Sequence, residues 1–203
     1  LEGVQSQYPS LLATALDSHT YLAHTVVCGC GGGEAVRPHL PRVLSRSAQL
    51  VLDADALNAI AQDSALQTLL ARRASAGLTT VLTPHPLEAA RLQGCTVAQV
   101  QMDRLAAAQE LAQRWSCVVV LKGSGTVIAA PNETPAINPT GNPRLACAGT
   151  GDVLAGFVGA ALAGGLAASP AAHLAVFQHG SAADRWPNNE ALTAEALAKA
   201  VRL

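Results

Sequence analysis

A carboxylate follows a glycine-rich turn at Gly149-Thr150-Gly151-Asp152, and the apolar stretch Val153-Leu154-Ala155-Gly156 follows the carboxylate. The two glycines around Thr150 allow a tight turn with bare backbone N–H groups. The helix opened by the apolar stretch adds a partial positive charge, roughly half an elementary charge, at the same point. Such a place suits a phosphate or a developing oxyanion. Asp152 puts a negative charge there. It is either an N-cap, a very common use of aspartate, or a general base held beside a phosphoryl-transfer site.

Four further groups of polar or glycine residues each follow a short apolar run. Gly29-Cys30-Gly31-Gly32-Gly33 holds more glycine than a turn needs and suits close backbone approach to a ligand. Asp53 and Asp55 can cap a helix, or together hold Mg²⁺ through water. In Thr83-Pro84-His85-Pro86, two prolines fix the backbone of His85, and Glu88 follows as a first-turn helix carboxylate. Lys122 opens Lys122-Gly123-Ser124-Gly125-Thr126 at the end of a buried run, where its charge needs a partner such as a nucleotide phosphate. His19, His24, His39, His173 and His179 lack such a setting and read as surface or core residues. Walker A, GxGxxG, GxSxG and zinc-ligand spacings are absent.

The elements that must position these groups alternate. Short β-branched runs occur at Thr25-Val26-Val27-Cys28, Leu50-Val51-Leu52, Thr80-Val81-Leu82 and Val118-Val119-Val120-Leu121, apolar without strict alternation, as in strands buried on both faces. Thr126-Val127-Ile128-Ala129 reads as a hairpin partner of the last. Helical patterns lie between them at Glu34 to Arg46, Ser64 to Arg73, Pro86 to Leu92 and Val97 to Trp115. After Gly141 the chain reads as all-helical. A helix from Asp152 to Leu166 is apolar nearly all round, and the next runs to about Trp186 with Ser169 as N-cap and Pro170 at N1. After a loop at Pro187-Asn188-Asn189, Thr193 caps a last helix from Ala194 to Val201. This order predicts one α/β domain with a mostly parallel central sheet flanked by helices. The loops at the carboxyl ends of its strands then form one rim, where ligands bind in such sheets.

Composition narrows the function. The chain has 203 residues, half of them hydrophobic, and a formal net charge of −1. That is enough for one buried core and offers no footprint for nucleic acid or an anionic membrane. No uninterrupted apolar run reaches a membrane span, and no signal peptide is visible. Five cysteines without a CxxC pair read as reduced thiols of a cytoplasmic protein, and the Cys28–Cys30 pair is weak evidence for a metal. The chain begins at Leu1, and its one methionine is Met102, so an N-terminally incomplete chain is expected.

With these residues together, the chain resembles the ADP/ATP-dependent NAD(P)H-hydrate dehydratase family of the ribokinase-like superfamily. Four passages carry the resemblance: Val51-Leu52-Asp53-Ala54-Asp55-Ala56-Leu57-Asn58, Leu82-Thr83-Pro84-His85-Pro86, Leu121-Lys122-Gly123-Ser124-Gly125-Thr126, and Asn138-Pro139-Thr140-Gly141-Asn142-Pro143 running into Gly149-Thr150-Gly151-Asp152-Val153-Leu154-Ala155-Gly156. Their order and spacing fit from about Val26 to the end. The resemblance implies a single ribokinase-like domain over 1–203, lacking an N-terminal part that holds a first strand, a glycine-rich segment and an alanine near the substrate. It implies repair of hydrated NADH or NADPH. ADP or ATP, with Mg²⁺, phosphorylates the ring hydroxyl, and phosphate then leaves. Asp152 would be the catalytic base. Lys122, Gly123, Ser124, Gly125, Thr126, Gly149, Thr150 and Gly151 would bind the nucleotide. Gly31, Gly33, His85, Asn142 and Asp152 would contact the hydrated cofactor. The metal ligands stay unassigned. An epimerase of the hydrated cofactor is the implied functional partner, and exposed sheet edges imply a homo-oligomer. The chain departs from the family in two places: the usual Gly-Pro-Gly-Leu-Gly is Gly29-Cys30-Gly31-Gly32-Gly33 here, and Leu87 replaces a glycine. Two alternatives share the aspartate and the anion-binding turn. One is a small-molecule kinase of the hydroxymethylpyrimidine or hydroxyethylthiazole type, the other a non-catalytic nucleotide-binding module. His85 between its prolines and the Asn138 to Asn142 passage favour the dehydratase.

Overall fold

A computed structural model of the chain describes residues 24–201; His19 and the chain start lie outside the described residues. Six strands form one sheet in sequential order. They are β1 (Thr25–Cys28), β2 (Gln49–Leu52), β3 (Thr79–Leu82), β4 (Val118–Leu121), β5 (Val127–Ala129) and β6 (Ala136–Ile137). The first four are parallel, in a register that sets Cys28 beside Leu52 and Leu52 beside Leu82. Chain reversal after β4 makes β5 the expected hairpin partner, with Leu121 opposite Val127. The two-residue β6 then extends the sheet antiparallel to β5, too short to show as a pattern.

Successive side chains of the buried strands face opposite layers. Leu50, Leu52, Leu82, Val119 and Leu121 pack into one core. Its helices are α1 (Leu40–Arg46), α2 (Ala54–Gln62), α3 (Ser64–Ser75), α4 (Pro86–Gln93), α5 (Val97–Met102) and α6 (Arg104–Trp115). Val51, Val81, Val118, Val120 and Ile128 face the other layer, formed by α7 (Thr150–Ala163) and α8 (Ala168–Asp184). Each buried Val or Leu is worth about 1.5–3 kcal/mol over leaving it exposed. A last helix, α9 (Ala194–Ala200), is capped by Thr193 as expected, the hydroxyl accepting from Ala196 N–H at 3.2 Å. Among the described residues no helix is long and apolar enough to cross a membrane.

Several helix boundaries differ from the sequence pattern, each for a local reason. The predicted helix from Glu34 to Arg46 is a 3-10 turn over Gly33–His39 followed by α1. Pro38 and Pro41 remove the N–H groups that a continuous helix needs. The predicted helix from Val97 to Trp115 is broken at Asp103, whose carboxylate turns back to accept from Ala106 N–H at 2.9 Å and so starts α6. Ser169 is not an N-cap. The cap of α8 is Ala167, and the Ser169 hydroxyl donates to Glu133 at 2.8 Å. Asp152 is not an N-cap either, because Gly149 caps α7 at φ 84° and Asp152 stands in the first turn. Nor is α7 buried all round, since Asp152, Gly156, Ala160 and Ala163 form an exposed edge. Helix α2 is absent from the helical patterns read in the sequence; Asp53 stands at its N-cap but makes no side-chain capping bond.

Arg73 ties this layer to the sheet. It is 2% exposed and has no carboxylate partner among its hydrogen bonds. Nη1 donates to the Leu44 carbonyl at 2.6 Å, Nη2 to those of Ser47 and Thr79 at 3.0 and 2.8 Å, and Nε to Thr80 Oγ1 at 2.7 Å. Burial lowers its pKa to about 10, which still leaves it charged at neutral pH. Arg73→Met is expected to lose about 3 kcal/mol of stability, because three buried carbonyls lose their donors at once. Urea unfolding followed by circular dichroism measures this loss, and an unchanged midpoint would refute it.

Candidate active site

The carboxyl ends of β1 to β4 meet at one rim, and hydrogen bonds stitch their loops together. Asp53 N–H donates to the Cys28 carbonyl at 3.1 Å, Thr83 N–H to Leu52 at 3.0 Å, and Lys122 N–H to Pro84 at 2.8 Å. These bonds continue the sheet by one residue and fix where Asp53 and Lys122 project. Their side chains meet. Lys122 Nζ lies 2.5 Å from Asp53 Oδ1, with the lysine side chain 17% exposed and the aspartate 1%. The cation expected to await a phosphate therefore already has a protein partner. Lys122 also abuts α7, because a Cβ added to Gly151 would lie 3.5 Å from Nζ.

Asp152 is exposed on the next residue. Its carboxylate, that of Asp53 and the Cys30 sulfur approach within 4.8 Å of one another. Burial, then the charge of Asp53, then that of Asp152, push the Cys30 thiol up to about 12, so it stays protonated. Its Sγ lies 4.0 Å from Asp53 Oδ2. A protonated thiol and a carboxylate already held by lysine make a poor donor set for Mg²⁺, which takes oxygen ligands in strict octahedral geometry. The Asp53–Asp55 pair does not fit either. Asp55 turns the other way, its Oδ2 accepting from Gly33 N–H at 2.7 Å.

His85 has a defined local job. Its Nδ1 accepts from Leu87 and Glu88 N–H at 3.1 and 3.4 Å, and Glu88 Oε2 accepts from His85 N–H at 2.8 Å, closing a capping box for α4. With Nδ1 accepting, the ring hydrogen sits on Nε2, 3.2 Å from Glu88 Oε1. The ring is thus held in one tautomer, with its side chain 45% exposed, while Glu88 behind it is 3% exposed. Burial raises the Glu88 pKa, against the opposing influence of the His85 N–H bond and of Lys122.

A cavity of about 420 Å³ opens on the other side of Lys122 and Gly151. Its walls are the loop Lys122 to Thr126, the passage from Asn138 to Ala146, and the facing parts of α7 and α8. Of the predicted nucleotide residues, Lys122, Gly123, Ser124, Gly125, Thr126, Thr150 and Gly151 line it, and Gly149 caps the helix beside it. Asn142 lines the same cavity, with its amide donating to the Ala183 carbonyl at 2.8 Å and to Asp184 at 3.1 Å. Gly31, Gly33, His85 and Asp152 lie outside this lining. Gly33 instead borders a hollow of about 220 Å³ with Asp55 and Arg37. Apart from Gly149, the predicted nucleotide residues thus share one cavity with Asn142, and Gly31, Gly33, His85 and Asp152 stand outside it.

Sequence reasoning passed over three residues here. His179, on α8, is 7% exposed, lines the cavity and holds the Thr150 carbonyl with Nε2 at 2.9 Å. Gly180, next to it, lets the Asn138–Asn142 passage lie directly on the helix, since a Cβ there would fall 2.6 Å from the Thr140 carbonyl carbon. Arg104 reaches the loop after β4 from below. Only long-range contacts reveal these three; neither spacing nor residue type marks them.

Two measurements follow from these contacts. Lys122→Met leaves Asp53 buried without its cation and is expected to cost about 3–5 kcal/mol, much of which Asp53→Asn restores in the double variant. Simple additivity across that double-mutant cycle would refute the coupling. Burial holds the His179 pKa below its usual 6.5. The unfolded state then binds more protons between the folded pKa and 6.5, so stability rises with pH in that window and is lost as pH falls below 6.5. His179→Gln, which keeps a donor for Thr150, should flatten that slope in urea unfolding at stepped pH.

A family model described as NAD(P)H-hydrate dehydratase matches residues 3–202. The ADP-dependent (S)-NAD(P)H-hydrate dehydratase of Neisseria meningitidis is 40% identical over 197 residues, covering 94% of this chain and 65% of that protein. A bifunctional NAD(P)H-hydrate repair enzyme of Moorella thermoacetica is 46% identical over 151 residues, 74% of this chain and 27% of that protein. The chain thus spans just under two thirds of the first relative and about a quarter of the second. The ADP/ATP-dependent NAD(P)H-hydrate dehydratase of Bacillus subtilis, co-crystallised with ATP and Mg²⁺, superposes with a TM-score of 0.72 at 32% identity, covering 91% of this chain and 65% of that one. A ribokinase-like superfamily protein of Enterococcus faecalis shares the fold with a TM-score of 0.78 at 22% identity, covering 98% and 70%. The chain belongs to the NAD(P)H-hydrate dehydratase family, built on a ribokinase-like fold.

Proposed function

We propose that this chain carries out the nucleotide-dependent dehydration of hydrated NADH or NADPH back to the normal cofactor. The observation that carries this reading is the first turn of α7. Gly151 and Lys122 face a cavity of nucleotide scale, and the exposed carboxylate of Asp152 projects one residue further on.

ADP or ATP occupies the cavity, with Lys122 to Thr126 and Gly149 to Gly151 around its phosphates. The N–H groups of Gly151 and Asp152, in the first turn of α7, have no acceptor within the helix and meet the charge of the transferring group. Asp152 takes the proton of the ring hydroxyl as its oxygen bonds to the terminal phosphorus, and the donor's bridging P–O bond breaks. Inorganic phosphate then departs with the electrons of the ring C–O bond, and the neighbouring ring carbon loses a proton to regenerate the dihydronicotinamide. Gly31, Gly33 and the ring of His85 border the acceptor on the Asp152 side. We place Asn142 with the nucleotide group, whose cavity it lines. Mg²⁺ belongs with the phosphates of the nucleotide, since the side chains at the rim do not fit it. The same reading puts the reaction in the cytoplasm, with an epimerase of the hydrated cofactor as functional partner and a homo-oligomer as the working form.

Incubation with hydrated NADH plus ADP or ATP tests the proposal through the near-ultraviolet absorbance of the dihydronicotinamide. Recovery of that band is expected. A kinase acting on another alcohol would consume nucleotide with its own substrate and leave the band absent. Asp152→Asn should lower the rate by about 10²–10⁴-fold while ADP still binds. Full activity in that variant would remove Asp152 from the role of base.

A further inference from the structure

Beneath the loop from Lys122 to Thr126 lies a cation that the mechanism above does not use. Arg104 is the first residue of α6. Its Nη1 donates to the carbonyls of Ser124 and Gly125 at 2.5 and 3.0 Å, and its Nη2 to those of Leu121 and Lys122 at 3.1 and 3.3 Å. The remaining carbonyl of the stretch, that of Gly123, accepts from Thr126 Oγ1 at 3.1 Å. Every carbonyl from 121 to 125 therefore has a donor within the protein.

The chain has no cis peptide bond among its described residues. In a trans peptide the C=O of one residue and the N–H of the next point in opposite directions. The carbonyls of Lys122, Ser124 and Gly125 point to the guanidinium, so the N–H groups of Gly123, Gly125 and Thr126 point away from it. Those three residues line the cavity, and Arg104 does not. Amides converging on one side of a glycine-containing turn make an anion-binding concavity. Gly123 completes the fit. It sits at φ 145°, and a Cβ there would lie 2.9 Å from Arg104 Nη2, so a side chain would displace the guanidinium.

We propose that Arg104 is a positioning residue for a nucleoside polyphosphate: it turns the carbonyls of the Leu121–Gly125 stretch inward and thereby presents the loop's amides to the phosphate chain. The proposal rests on the reading of this cavity as the nucleotide site. It predicts that the phosphates, and not the nucleoside, feel the loss of Arg104.

Calorimetric titration of the full chain with adenosine, AMP and ADP tests this in Arg104→Gln and Arg104→Lys. Arg104→Gln should weaken ADP roughly tenfold or more, weaken AMP less, and leave adenosine unchanged. Arg104→Lys, with the charge but not the fork, should fall between wild type and Arg104→Gln. Unchanged ADP affinity, or equal weakening of ADP and adenosine, overturns the proposal. Should Arg104→Gln fail to fold, Thr126→Val, which frees only the Gly123 carbonyl, should show the same phosphate-dependent loss in milder form, and no such loss overturns it. A wild-type chain that binds ADP but does not dehydrate hydrated NADH, while Arg104→Gln loses phosphate affinity, defeats the dehydratase reading and leaves this inference standing. Dehydration by the wild type with undiminished ADP affinity in Arg104→Gln does the reverse.

Discussion

The ion pair between Lys122 and Asp53 is the constraint around which the rim is arranged. A carboxylate that is 1% exposed keeps its charge only if a cation and hydrogen bonds replace its water. Lys122 supplies the cation from the end of β4, and Asp53 receives it at the end of β2, with β3 between them. That link binds the strand ends across the middle of the sheet. It also brings the ammonium against Gly151, at the positive end of α7. The partner matters as much as the lysine. A free ammonium on a four-carbon stem has many rotamers, whereas one tied to a buried carboxylate has a defined place from which to meet an incoming anion.

The architecture was legible because the strands are short, β-branched and separated by helical periods. The parallel order of β1 to β4, the hairpin at β5 and the cap at Thr193 all follow from local chemistry. Several of the features that the sequence misplaced turn on the partner a single side chain takes. Asp53 looks like a helix cap and serves as a counter-ion instead. Ser169 looks like a cap and bonds Glu133. Asp103 looks like one more polar residue on a helix and turns back to start a new one.

The candidate site was legible to the extent that it consists of loops after strands. Such loops can be placed on one rim before any contact is known. What the rim lacked was its underside. Arg104, His179 and Gly180 sit on helices, and each acts on a loop from another part of the chain. Nothing in their neighbours along the sequence distinguishes them from ordinary surface or core positions. His85 shows the opposite case. Its two prolines marked it correctly as a fixed histidine, but the structure adds that its Nδ1 is consumed by the helix it caps, which leaves only part of the ring for a ligand.

The contact between Gly180 and Thr140 bears on how such a site can change over generations. One wall of the cavity rests backbone against backbone there, with the Thr140 hydroxyl donating to the Phe177 carbonyl at 2.9 Å. Gly180 has no room there for any side chain, and Thr140 is tied down by its own hydroxyl, so the seam leaves little for point substitution to tune. Divergence in the occupant of the cavity must then come through the residues further along, such as Leu145, Leu154 and Val176, whose side chains border the same space. The seam is nearly closed to inherited variation, while the rest of the wall stays open to it.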